Sequence, residues 1–258
     1  MAFFEMMFKS EALNLSVSVN VIIPETAKHT SGEKTYKTLY LLHGLSDDHT
    51  AWTRKSSIER YAADKGIAVV MPAVGRSWYT DTAYGAKYFT FVSDELPRTV
   101  RGFFKGMSDK REDNLIAGLS MGGYGAVKIA LSRPEAFGYC ASLSGALDIS
   151  ARGYKRFLPE WQGIFGFGIE KVEDIKGTEH DVFKIAEQNK ENGVEFPKLF
   201  IWCGEQDALI DDNNRFDALL NELGVDHVYK TSEGDHTWGW WDMHIKNALD
   251  YLLPNKNK

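Results

Sequence analysis

The feature that most constrains this chain is a series of short, nearly continuous apolar runs separated by longer stretches of helical patterning. Thr38–His43, Ile67–Met71, Leu115–Leu119, Tyr139–Leu143 and Leu199–Cys203 are such runs, and His227–Tyr229 reads as a last one. A strand covered on one face alternates apolar and polar residues; a strand covered on both faces loses the alternation. Between the runs lie helix-like stretches: Ala51–Lys65, Asp94–Lys105, Met121–Leu131, Asp212–Leu223 and Gly239–Leu252. In the last of these, Trp241, Ile245, Ala248, Leu249 and Leu252 share one face. Buried strands alternating with helices imply parallel crossover connections. The expected fold class is therefore α/β, a three-layer sandwich with a mostly parallel central sheet.

Two stretches depart from this rhythm. From Leu13 to Ile23 the odd positions are apolar and the even ones mostly Asn and Ser, which marks a half-buried strand near a sheet edge, ended by Pro24. The polar residues Thr26–Lys34 then read as a loop. Residues 150–196 are the second departure. This segment is rich in Gly, aromatics and charge, shows no clear period, and falls between two strands. It reads either as a cap over a site or as a surface excursion with short helices, and both readings stand at this stage. With 258 residues, of which 43% are hydrophobic, one domain over residues 1–258 is expected, with 150–196 as its irregular insertion. The terminal Asn255–Lys258 should fray.

Charge and cysteine usage narrow the function. The formal net charge is -6 and the basic residues are scattered, whereas a nucleic-acid partner calls for a concentrated cationic patch. Met1–Met7 is apolar but short and broken by Glu5, unlike a signal peptide, and no apolar run approaches the ~20 residues of a membrane span. Cys140 and Cys203 each lie inside a strand-like run, so two reduced, buried thiols in a cytoplasmic protein are expected, with no membrane partner.

The chemistry centres on Gly118-Leu119-Ser120-Met121-Gly122. This Gly-x-Ser-x-Gly follows an apolar run and precedes a helix, the strand–turn–helix context of a nucleophile elbow. Glycines on either side relieve crowding in a tight turn, and the helix N-terminus behind the serine supplies N–H groups and a positive dipole end. A serine needs a neighbouring base. Of the histidines, His236 alone sits in a loop between the last strand and the last helix, and loops at the carboxyl ends of parallel strands carry the chemistry of such sheets. Asp207 closes Gly204-Glu205-Gln206-Asp207 directly after a buried strand, giving the order Ser, Asp, His. Asp211 and Asp212 are rivals with the look of a helix start, and Glu205 is another. An oxyanion needs preplaced donors. The N–H groups of Met121, next after the serine, and of Leu45, in His43-Gly44-Leu45-Ser46, are the candidates, with His43 bracing that loop. No metal or dinucleotide signature is present, and Asp47-Asp48-His49 reads as a solvated acidic loop. No cofactor is expected.

Together, Leu42–Asp48 with Trp52, Gly75–Asp81, Gly118–Gly125 and Asp235-His236-Thr237-Trp238-x-x-Trp241 resemble the esterase D family, and within it the bacterial tributyrin esterases. The resemblance spans nearly the whole chain. It implies the α/β-hydrolase fold, Ser120 as nucleophile, Asp207 as acid, His236 as base, and Leu45 and Met121 as oxyanion donors. It places Trp52, Trp78, Tyr79 and Trp238 around the active-site mouth, and packing of the last helix accounts for Trp241. It implies hydrolysis of short-chain acyl esters, with small-molecule esters as the partners. The family's S-formylglutathione hydrolases carry a cysteine in the segment after the early glycine loop; here Leu45–His49 has none. A catalytically silent binding module, usually marked by a missing triad member, is the rival of another class. A homo-oligomer in which a partner subunit covers the pocket is left open.

Overall fold

The structure, a computed structural model, describes residues 1–25, 35–166 and 168–254; the loop expected at Thr26–Lys34 and the fraying expected at Asn255–Lys258 lie outside the described residues. The apolar runs become the middle of one sheet. Strands β1 (Ala2–Ser10), β2 (Leu15–Ile23), β3 (Thr38–Leu42), β4 (Ala68–Pro72), β5 (Asn114–Leu119), β6 (Tyr139–Leu143), β7 (Lys198–Gly204) and β8 (His227–Ser232) lie in the spatial order β1-β2-β4-β3-β5-β6-β7-β8. Neighbours from β4 to β8 are parallel, and β1 and β2 are antiparallel at one margin. This is the α/β-hydrolase fold.

Every residue of β3, β4 and β5 is buried, which explains their unbroken hydrophobicity. Their side chains alternate between two cores. Tyr40, Leu42 and Ile116 face the side covered by helices Met121–Ser132 and Val182–Glu191. Leu39, Leu41 and Leu115 face the side covered by Ile58–Lys65 and Trp238–Leu252. Truncating one such leucine to alanine leaves a cavity and costs about 2–5 kcal/mol.

The first strand is hidden in the sequence because apolar residues fall on both of its faces. Met6 and Phe8 pack inward, yet Phe3 and Met7 point outward and are exposed. The stretch expected as one helix over Ala51–Lys65 is two, Ala51–Lys55 and Ile58–Lys65. The break comes at Ser56, which is extended, and at Ser57, whose N–H turns aside to donate to Asp242 Oδ1 at 2.7 Å. The helix expected from Asp94 begins earlier: a turn at Tyr88–Thr90 and a wide π turn at Phe91–Glu95 lead into Leu96–Phe103. Glu95, buried in the π turn, accepts from Ser10 Oγ at 2.6 Å and from the N–H groups of Glu11 and Ala12, so it clamps the β1–β2 connection. Buried carboxylates need this kind of multiple pairing.

Residues 150–196 divide in two. The later part forms the regular helix Val182–Glu191, capped by Asp181 and tied to the helical layer by Asn189 Nδ2 donating to Leu131 O at 2.7 Å. The earlier part, around Tyr154–Phe165, lies at the carboxyl ends of the strands.

Candidate active site

Strands β3, β4, β5, β7 and β8 all deliver their next residues to one end of the sheet. His43 follows β3, the Ser77–Thr80 turn follows β4, Ser120 follows β5, Asp207 follows β7 and His236 follows β8. Ser120 stands between β5 and helix Met121–Ser132 with φ 53° and ψ -119°, a left-handed conformation that costs an ordinary residue of order 1–3 kcal/mol. The surroundings over-determine it. Its N–H donates to Leu143 O at 3.0 Å, and its carbonyl accepts from Tyr124 and Ala146 N–H at 3.1 and 3.2 Å. The flanking glycines are required by close approach: a Cβ on Gly118 would strike the Gly122 carbonyl, and one on Gly122 would lie 2.6 Å from the carbonyl oxygens of Leu42 and His43.

The structure brings Ser120, His236 and Asp207 together. Ser120 Oγ lies 3.0 Å from His236 Nε2, and His236 Nδ1 lies 2.9 Å from Asp207 Oδ2 and 3.1 Å from Oδ1. A carboxylate only accepts, so Nδ1 carries the proton and Nε2 is free to accept from the serine hydroxyl. Asp207 is 3% exposed. Burial alone would raise its pKa, but hydrogen bonds and charge from His236, the Leu209 N–H and the Ser144 hydroxyl outweigh that and hold it below the usual carboxylate value. The loops carrying Asp207 and His236 are clipped together: Gly234 N–H donates to Gln206 Oε1 at 2.8 Å and Gln206 N–H to Gly234 O at 2.9 Å. Trp241 meets the His236 ring edge-on at 4.8 Å between centroids, and its Nε1 donates to Ser144 Oγ. The rival Asp212 is committed elsewhere, accepting from Tyr154 Oη and Arg215 Nη2, each at 2.7 Å; burial pushes it up to about 6. Asp211 and Glu205 are exposed.

On the other flank of Ser120, Leu45 and Met121 are the residues expected to donate. Among the described residues, neither N–H has an acceptor within the chain. His43 is 1% exposed and fixes the Gly44–Leu45 peptide. Val74 N–H donates to its Nε2 at 3.1 Å, so Nδ1 carries the proton and donates to Gly44 O at 2.8 Å. Burial lowers the pKa of His43 despite that hydrogen bond, which keeps the ring neutral.

A cavity of about 360 Å³ opens over Ser120 and His236. Trp78 lines it, as the family resemblance implies. Tyr154, Arg156, Phe157 and Leu209 line it too. Tyr154, Arg156 and Phe157 had no sequence signal beyond the aromatic and charged character of the aperiodic segment, and Leu209, after β7, had none. Two expected mouth residues, Trp52 and Tyr79, lie elsewhere. Trp52 is 1% exposed, with Nε1 donating to Leu42 O at 3.0 Å. Trp238 packs edge-on against Trp52 at 5.0 Å. Tyr79 is fully buried, with its hydroxyl donating to His43 O at 2.9 Å. Trp52 and Tyr79 serve as internal packing because a buried carbonyl lies within reach of each polar tip. Trp241, expected to pack the last helix, is 5% exposed and also reaches the cavity wall. A larger cleft of about 630 Å³, around Arg111 and Lys190, sits at the opposite, amino ends of the strands and holds no serine–histidine pair.

Residues 10–252 match the Esterase family. The chain is 29% identical to an acetyl esterase of Caldicellulosiruptor saccharolyticus, over 98% of each chain. It is 34% identical to a diacylglycerol acyltransferase/mycolyltransferase of Mycobacterium avium, over 85% of this chain and 75% of that one. Among solved structures, it is similar to a fluorophosphonate-binding serine hydrolase of Staphylococcus aureus (35% identity, 98% and 99% covered, TM-score 0.89). It is also similar to an S-formylglutathione hydrolase of Staphylococcus aureus (34% identity, 98% of each chain covered, TM-score 0.88).

Proposed function

The chain belongs to the Esterase family and is a serine carboxylesterase, and we propose that Ser120 is its nucleophile, His236 its base, Asp207 the acid that orients the base, and short-chain acyl esters its substrates. The observation that carries the reading is the unbroken relay from Asp207 through His236 to Ser120 Oγ at the mouth of the cavity.

Two acyl transfers follow from this geometry. Ser120 Oγ attacks the ester carbonyl as its proton passes to His236 Nε2. Negative charge forms on the carbonyl oxygen, and the N–H groups of Leu45 and Met121 hold it. Collapse breaks the C–O bond to the alcohol, which leaves with the proton from His236. Water then gives its proton to His236 and attacks the acyl-serine; collapse of the second intermediate returns that proton to Ser120 Oγ and releases the acid. Asp207 stays ionised throughout and stabilises the imidazolium.

A cavity of about 360 Å³ is at the small end of ligand sites, in keeping with tributyrin-type or acetyl esters, acetylated sugars among them. A thioester reading is second. The likeness to the Staphylococcus aureus S-formylglutathione hydrolase favours it, and the lack of cysteine in Leu45–His49 weighs against it. A cytoplasmic location is part of the same proposal. Buried free thiols at Cys140 and Cys203 support it, and no helix among the described residues is long and apolar enough to cross a membrane.

The test is a panel of p-nitrophenyl esters from acetyl to octanoyl, with an acetylated sugar and S-formylglutathione, run on wild type and Ser120→Ala. Turnover fastest on the shortest esters and lost in Ser120→Ala is expected. Turnover that survives in Ser120→Ala refutes the nucleophile, and a preference for octanoyl refutes the substrate class.

A further inference from the structure

Trp78 and Tyr79 are consecutive non-glycine residues with left-handed backbone, φ 52° and 49°. Bulky residues rarely adopt this region, and each persists there only when its neighbours compel it. The compulsion is visible. Thr80 N–H donates to Ser77 O at 3.2 Å, and Tyr79 N–H donates to Ser77 Oγ at 3.2 Å. Thr80 Oγ1 donates to Trp78 O at 2.9 Å and accepts from Lys128 Nζ at 2.7 Å. Lys128 is 4% exposed and projects from the helix that Ser120 caps. A lysine buried this deeply is costly, so its bond to Thr80 replaces hydration that the amine has lost.

The turn sends the Tyr79 ring back under the loop after β3. The ring lies where a Cβ on Gly125 would collide with it, and the hydroxyl donates to His43 O. That carbonyl belongs to the peptide just before Gly44. The carbonyl just after it, Gly44 O, is held by the His43 ring and by Asp47 N–H at 3.2 Å. Glycine is the most permissive residue in the backbone, and here it sits between two tethered peptide planes. With both planes fixed, the direction of the Leu45 N–H is fixed as well.

We infer that Tyr79 is a positioning residue for the oxyanion loop, and that the left-handed turn, held to the Ser120 helix by Lys128 through Thr80, is what aims its hydroxyl at His43 O. This rests on Leu45 being an oxyanion donor. Tyr79 touches no substrate; it acts by fixing Gly44, and Gly44 fixes the donor.

Tyr79→Phe removes one hydroxyl and keeps the ring. Loss of a whole oxyanion donor costs ~10²–10³ in rate, so a donor left in place but misaimed should lower kcat by about fivefold to tenfold. KM for p-nitrophenyl acetate should change less than about twofold, because the loop grips the transition state rather than the ester. Acylation and deacylation constants should fall by the same factor, since one oxyanion site serves both steps. Thr80→Val and Lys128→Met should lower kcat in the same direction, and the double variant should lose no more than the larger single loss. Active sites are counted from the nitrophenol burst, so unfolded protein does not enter kcat. A lower Tm with wild-type kcat in Tyr79→Phe, or a change confined to KM, overturns the inference. Wild-type kcat in Lys128→Met removes Lys128 from the chain of contacts. Ser120→Ala, run alongside, separates two failures: if it retains activity the site itself is misread, and if it is silent while Tyr79→Phe matches wild type, only the positioning role is wrong.

Discussion

Two histidines flank Ser120, and their surroundings are opposite in kind. His236 follows β8 with its side chain 37% exposed, and its nitrogens meet a carboxylate and a hydroxyl. His43 follows β3, is 1% exposed, and its nitrogens meet a carbonyl and an amide N–H. A carboxylate steadies a charged imidazole and a hydroxyl can give it a proton; around His43 the Gly44 carbonyl does not offset burial, and the Val74 N–H gives up no proton near neutral pH. In the proposed mechanism the same ring is a proton carrier on one flank and a bracket on the other. What differs is the company of the two nitrogens, and that depends on which loop each strand feeds.

The difference can be broken from either side. The largest loss is expected on the carrier flank: Ser120→Ala or His236→Ala should lower kcat by about 10⁵–10⁶-fold, and together they should cost little more than either alone, because they act as one unit. Asp207→Asn should cost about 10⁴, since the amide no longer fixes the proton on Nδ1. Single-turnover hydrolysis of p-nitrophenyl acetate reads both. On the bracket flank, His43→Phe should lower kcat by about 10–10²-fold through a loosened oxyanion loop, leaving the shape of the pH–rate curve unchanged. A changed shape would mean that His43 carries protons after all, and the distinction would fall.

The smallest effect is on stability. His43 is held neutral by burial, and so are His244, pushed down to about 4 by burial and the Lys230 charge, and His180, pushed down to about 3 by burial and the Lys128 charge. The unfolded chain takes up these protons near pH 6.5, so stability is complete above that pH and declines as pH falls toward the folded values. Asp207 adds a separate loss. Its folded pKa is depressed, so its contribution is present above about pH 3.9 and disappears as pH falls through the lower folded value. Tm measured from pH 7 to pH 4 should drop, with each kcal/mol worth about 2–4 °C for a chain of this size. His244→Phe, which keeps a ring stacked on Trp202, should flatten the decline; an unaltered slope would show that this histidine does not report on folding.

The parts of the site legible in the sequence were those tied to strand ends. Ser120 and Asp207 each follow a strand buried almost throughout, and His236 follows the half-exposed last strand; their meeting place at one end of the sheet follows from the parallel topology. The cavity wall obeys no such rule. Tyr154 reaches it because its hydroxyl meets Asp212 on a distant helix, and Trp78 because it packs edge-on with Trp161 at 5.0 Å. Contacts of that kind leave no spacing in the chain. Trp52 and Tyr79 show the converse: local motif and loop position suggested a substrate surface, while a buried carbonyl within reach of each polar tip made them internal braces. The strand Ala2–Ser10 escaped notice because apolar residues on both faces erase the period of two.

That strand has a consequence for how the folded chain meets other copies of itself. It is the last in the sheet order, nine residues long, with Phe3, Phe4 and Met7 exposed. Among the described residues no strand pairs with its outer side, so a row of backbone donors and acceptors ends in water beside uncovered apolar groups. Such a margin is a template onto which any extended segment can zip. When concentrated solutions of this protein are warmed, turbidity should start there, and a lysine at Met7 is the simplest way to delay it.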